Sequence, residues 1–167
     1  MSKKGFLGIG MKNTTLSSRD EGPVRAIAWR GRFIAWSNDF AIKIHDVEGE
    51  EAITRIERPP GSWRPDLFPS TLFWASDRTL IIGWANMLKI GQVMPRENPA
   101  PGEPMHVVHV STIVLDSIVC GMAPFGQYLT VLAYEQAEEE NAPAARPELK
   151  GFGGFFLRVL FFDIQEK

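Results

Sequence analysis

Residues 26–47 read "AIAWRGRFIAWSNDFAIKIHDV", and residues 72–93 read "LFWASDRTLIIGWANMLKIGQV". The two stretches set out the same features in the same order. In the first, Ile34 and Trp36 alternate with Phe33 and Ala35, then Ile42 and Ile44 alternate with Lys43 and His45. A two-residue period bounded by turn formers marks a half-buried strand. Gly31 supplies the first turn, after a strand ending at Trp29, and Asn38 with Asp39 supplies the next. Both Asn and Asp tolerate left-handed backbone and can bond their own main chain.

The second stretch follows in register. Trp29 matches Trp74 at a step of 45. Ile34, Trp36 and Asn38 match Ile82, Trp84 and Asn86 at a step of 48. Lys43 and Ile44 match Lys89 and Ile90 at a step of 46. A third, weaker copy is "IVCGMAPFGQYLTVLAYE" at 118–135, with Gly126 in the turn and Leu129–Tyr134 replaying "LIIGW". A repeat of ~45 residues built from short antiparallel strands is the signature of a β-propeller blade. "IKIHDV" ends in His45-Asp46, where a WD-type blade has Trp-Asp, and the second copy has Gly91-Gln92 there. The fold expected is all-β, an incomplete WD40-like β-propeller of about three blades; a two-sheet sandwich is the competing architecture. Residues 24–57 and 70–115 are expected as two four-stranded antiparallel sheets, packed face to face through Trp36 and Trp84. Trp29, Trp36, Trp74 and Trp84 are expected as core fillers between sheets. Trp63 has no counterpart in the repeat and is expected folded back over a blade. Proline-rich connections at 58–70, 94–104 and 135–148 have the composition of solvated loops.

Composition restricts function. The chain has 167 residues, 44% hydrophobic and 23% charged, with a net charge of -2. That balance is ordinary for a globular domain and offers no electrostatic case for nucleic acid. One cysteine, Cys120, excludes an internal disulfide. The opening "MSKKGFLGIGMKNTT" does not read as a signal peptide, and no stretch reaches the ~18 apolar residues of a membrane-spanning helix.

No catalytic residue, cofactor site or metal site is expected. His106 and His109 in "MHVVHV" would share a face on a helix, but the run reads as a strand, where they alternate. "GFLGIG" lacks the dinucleotide-binding glycine pattern, and "SSRDE" reads as a polar loop. Glu138-Glu139-Glu140 reads as a solvated loop tip, with docking of a basic partner as the alternative.

The combination "WRGRFIAWSN", "RPD" before a strand ending in Trp74, "LIIGW" and "GMAPF", preceded by "SKKGFLGIG", resembles the N-terminal propeller of the vacuolar protein sorting-associated protein 41 family. The resemblance runs over roughly residues 2–149. It implies a non-catalytic interaction domain of a subunit of the homotypic fusion and protein sorting (HOPS) tether, acting in vesicle and endosome traffic to the vacuole or lysosome. It further implies other tether subunits, a Rab-type GTPase and a vesicle adaptor as partners. Membrane association would be peripheral, through the complex, on late endosome and vacuole. An unrelated propeller scaffold, such as a ubiquitin-ligase adaptor or coat subunit, is the alternative; a propeller hydrolase would need recurring acids or histidines at strand starts.

Against the family plan, the early blades, the helical solenoid and the zinc-binding domain are expected to be absent, as in a truncated gene product. Residues 1–150 are expected as the partial propeller. Residues 151–167, "GFGGFFLRVLFFDIQEK", no longer resemble the family and are expected as a divergent apolar tail that adds one strand beside Leu129–Tyr134. Its removal is expected to raise solubility. Three blades cannot close a ring, so the chain is expected to associate with itself or with chaperones.

Overall fold

The computed structural model describes residues 14–58, 64, 66–126, 128–134 and 157–163, with backbone alone for Tyr134 and the last segment. Trp63 and Glu138–Glu140 lie outside the described residues.

The alternating stretches form strands where the pattern places them. β1 (Ala26–Arg30), β2 (Phe33–Ser37), β3 (Ala41–Asp46) and β4 (Glu51–Glu57) make one antiparallel sheet in chain order. β5 (Thr71–Trp74), β6 (Thr79–Trp84), β7 (Met87–Pro95) and β8 (His106–Val114) make a second. β9 (Ile118–Phe125), β10 (Tyr128–Tyr134) and β11 (Leu157–Asp163) make a third, three-stranded sheet. The tail strand β11 pairs antiparallel with β10 along its whole length, Tyr128 facing Asp163 and Tyr134 facing Leu157. Among the described residues there is no α-helix, and none long and apolar enough to cross a membrane.

The turns follow local chemistry. Gly31 and Gly126 hold the β1–β2 and β9–β10 turns at φ +55° and +59°, which an L side chain rarely adopts. Between β2 and β3, Asn38 Oδ1 accepts the amides of Phe40 (2.9 Å) and Ala41 (2.8 Å), closing an Asx turn.

The three sheets stack in a row. β1 lies against β5, and β5 against β9, so the first strands sit side by side as in a propeller. Phe33, Ala35, Ile42, Ile44 and Ile53 of the first sheet pack against Trp74, Leu80, Ile82, Trp84 and Val93 of the second. Ile81 and Leu88, on the other side of the second sheet, pack against Val119, Leu129, Val131 and Ala133 of the third. Each fully buried Leu or Ile in these layers contributes roughly 1.5–3 kcal/mol.

Three expectations about the tryptophans change. Trp29 is not a core filler: it is 64% exposed, with Ile27, on the face of β1 turned away from the second sheet. Trp36 is buried but does not join the packing of the first two sheets; it lies on that same outer face. Trp84 does lie between the first two sheets, with Trp74. Finally, the step of 48 is two residues out of structural register. Trp36 pairs with Ile27 and Lys43, and the residue paired with Leu72 and Lys89 is Ile82, not Trp84. A slip of two leaves every side chain on the same face, so the alternation cannot detect it.

Candidate interaction surface

The His45-Asp46 end of β3, where a WD-type blade has Trp-Asp, leads to a buried polar cluster. Asp46 is wholly buried at the end of β3. Its carboxylate accepts Arg32 Nε (2.9 Å) and Nη2 (2.5 Å), and the amides of Glu48 and Gly49 at 3.1 Å each. It thereby ties the β3–β4 turn to the β1–β2 turn. Burial works against its charge, but Arg32 and the two amides outweigh burial and hold Asp46 below the usual carboxylate range.

His106, at the start of β8, approaches this carboxylate from the second sheet. Its Nδ1 is 3.5 Å from Asp46 Oδ2 and 4.0 Å from Glu51 Oε1, and its ring stands edge-on to Phe33 at 5.2 Å between centroids. Glu51 also accepts the amide of Met105 at 2.9 Å. Sequence reading set His106 and His109 aside as strand histidines on opposite faces. They do alternate on β8, but the partners of His106 lie 60 and 55 positions away, beyond any local spacing signal. Among the described residues, Asp46, Glu51 and His106 form one group with metal-capable spacing. Of the hydrogen bonds that Asp46 accepts, those from Arg32 Nε and the two amides fall on Oδ1, and Arg32 Nη2 donates to Oδ2, the oxygen nearer His106. The strap between the sheets at this point is the Met105 amide on Glu51.

A second strap crosses at the inner strands. Arg30 donates to Asp77 Oδ1 (2.8 Å) and to the carbonyls of Trp74 (3.1 Å) and Ala75 (3.3 Å). In return, Trp74 Nε1 donates to the Ala28 carbonyl at 3.1 Å, and its ring stacks on Phe33 at 6.1 Å.

The outer face of the first sheet is the open surface. Over Trp36 it carries a cleft of about 600 Å³, lined among others by Thr15, Leu16, Trp36, Lys43, His45 and Arg55. Glu21, from the turn Arg19–Glu21, pairs with Lys43 beside it and accepts the Ser17 hydroxyl at 2.8 Å. Lys43, then Ser17, holds Glu21 below its ordinary pKa. Beyond the cleft, Ile27 and Trp29 stand exposed, and the Trp29 indole donates only to its own turn, at Gly31 O (2.9 Å).

Comparison with known proteins agrees with this architecture. The family model Beta-prop_Vps41, described as a Vps42 beta-propeller, matches residues 1–152. The vacuolar protein sorting-associated protein 41 homolog of Solanum lycopersicum is 35% identical over 142 residues, covering 80% of this chain and 15% of that protein. The homolog of Homo sapiens is 36% identical over 136 residues, covering 77% and 16%. Vacuolar protein sorting-associated protein 41 of Schizosaccharomyces pombe is 33% identical over 158 residues, covering 90% and 18%. The chain thus spans less than a fifth of the length of each of these relatives. No solved structure matches it. On the extent of the match and the stacked four-stranded sheets, the chain belongs to the Vps41 β-propeller family.

Proposed function

We propose that this chain is a protein-interaction segment of a tethering subunit in vacuolar protein sorting. The observation that carries the reading is the family match over residues 1–152, together with relatives named for vacuolar protein sorting. The segment works as a rigid, non-catalytic scaffold: its charged groups meet as structural straps, and blade faces and loops present surface to partners. Those partners are other subunits of a HOPS-type tether, a Rab-type GTPase and a vesicle adaptor, with no nucleic acid. Membrane contact is peripheral, through the complex, at late endosome and vacuole or lysosome. Residues 1–150 form the propeller segment, residues 151–167 are a divergent addition without a functional role, and no residue serves catalysis, a cofactor or a metal. Affinity isolation of the tagged full-length gene product tests this. Recovery of vacuolar tether subunits is the expected result. Recovery of ubiquitin-ligase or vesicle-coat components in their place overturns it.

A further inference from the structure

β8 closes the second sheet on its outer side. The strand order is β5-β6-β7-β8, and among the described residues no strand pairs with the far edge of β8. Both faces of this sheet are occupied within the chain, by the first sheet on one side and the third on the other. Further blades at either end of the row would stack on those flanking sheets and leave the β8 edge as it is.

Soluble proteins blunt such an edge with charge, proline, a bulge or a cover. β4, at the same place in the first sheet, follows that rule: it carries Glu51, Arg55 and Glu57, and its pairing with β3 shifts register between Ile44 and His45. β8, "HVVHVSTIV", is nine residues without Asp, Glu, Lys, Arg or Pro. It pairs with β7 without a shift, from Pro95–His106 to Met87–Val114. Its first half leans on the first sheet, through the Met105 amide on Glu51 and Val108 against the core. Its second half, His109–Val114, is exposed at every residue, with Val110 and Val114 turned to one face and Ile113 to the other. That half is roughly 20 Å of straight, uncharged strand. One charge stands beside it. Lys89 pairs with Thr112 across the β7–β8 ladder, and its ammonium donates to the Thr112 hydroxyl at 3.1 Å. Among the described residues Lys89 meets no carboxylate. A strand added beyond β8 would lie two strand spacings from Lys89, about 10 Å, which a lysine and a carboxylate side chain together span.

We propose that the outer edge of β8 takes up an extended segment of a protein partner by strand addition, a segment apolar or β-branched at alternate positions with a carboxylate opposite Thr112 that pairs with Lys89. Main-chain hydrogen bonds to every second residue of His109–Val114 hold the segment, and Val110, Ile113, Val114 and Lys89 select its side chains. The inference rests on the reading of this chain as a protein-interaction segment and gives that reading a binding mode.

Hydrogen exchange, read residue by residue on the full-length gene product alone and in the complex recovered by affinity isolation, tests this. Alone, every second amide of His109–Val114 is expected to exchange fast; in the complex the same amides are expected to slow at least ~10-fold. Val110→Lys/Ile113→Lys puts charge on two exposed edge positions and is expected to lower partner recovery at least ~10-fold, with unchanged circular dichroism. Lys89→Gln is expected to weaken capture about 2- to 5-fold, the worth of one cross-strand charge pair, and Lys89→Arg to preserve it. The exchange assay reads β8 in whichever complex is recovered. Coat components in place of tether subunits therefore overturn the proposed function and leave protection at β8 to decide this inference. Unchanged exchange at β8 in the complex overturns the strand addition alone, and a product that recovers no partner overturns both. Slow exchange in the isolated protein overturns it as well: independent of concentration, the edge is held by another segment of the same protein; rising with concentration, by a second copy.

Discussion

Trp29 and Trp74 occupy the same position in successive sheets, yet Trp29 is 64% exposed and Trp74 4%. The difference is one neighbour: the Phe33 face of the first sheet covers Trp74, and no sheet among the described residues covers Trp29. In denaturant titrations, Trp74→Ala is expected to cost about 3–5 kcal/mol. Trp29→Ala is expected to stay within about 0.5 kcal/mol. Similar losses for both would mean that Trp29 has a cover the structure does not show.

Gly83, in "LIIGW", is a packing requirement. A Cβ built there meets the Thr71 hydroxyl and comes within 2.7 Å of Val119 Cγ1 and 3.2 Å of Met122 Sδ. Val119 and Met122 belong to the third sheet, so the missing side chain lets the second and third sheets approach. Gly83→Ala is expected to destabilise the chain by about 1–3 kcal/mol through overpacking. Truncating the opposing contact in Gly83→Ala/Val119→Ala should give less than the sum of the single losses, measured as a double-mutant cycle.

Asp46 holds two turns at once. Asp46→Ala leaves two amides and Arg32 without their acceptor and is expected to cost about 2–4 kcal/mol in thermal or denaturant melts. Asp46→Asn keeps an acceptor oxygen for the amides and should cost less. An Asn variant as damaged as the Ala variant would show that the charge on Arg32, not the amide bonds, governs the strap.

The same residue predicts a pH dependence. Asp46 is held below the usual range in the folded chain. Its contribution is therefore fully present above the unfolded carboxylate pKa of about 3.9 and is lost as pH falls through the lower, folded value. Glu21, lowered by Lys43 and Ser17, acts in the same sense. Melting temperature should decline on the acid side, and Asp46→Asn should flatten that decline. An unchanged acid limb in the variant would remove Asp46 from the account.

The apolar tail takes the strand place expected for it beside Leu129–Tyr134, and that place reverses the solubility effect expected of its removal. As β11 it pairs with every residue of β10 from Tyr128 to Tyr134. Deleting residues 151–167 uncovers the edge of a strand that carries Leu129 and Val131, and an uncovered edge invites association. The truncated chain is therefore expected to show a lower soluble fraction after centrifugation than the intact one.

Short-range chemistry was legible in the sequence by itself. Alternation of Phe33–Trp36 and of Ile42–Ile44 determined strands, Gly31, Asn38 and Gly126 determined turns, and their recurrence determined a row of similar sheets and the family. These are properties of a residue and its near neighbours, and a period of two assigns each side chain to one of two faces. What the pattern could not hold was which face is covered, because cover comes from another sheet some 45 residues away. The tertiary structure alone decided that Trp29 stands open while Trp74 is closed, and that Trp36 and Ile82, not Trp84, are equivalent. It alone brought His106 to Asp46. Stacking and strand pairing act through space, so they leave only a compatible composition in the chain.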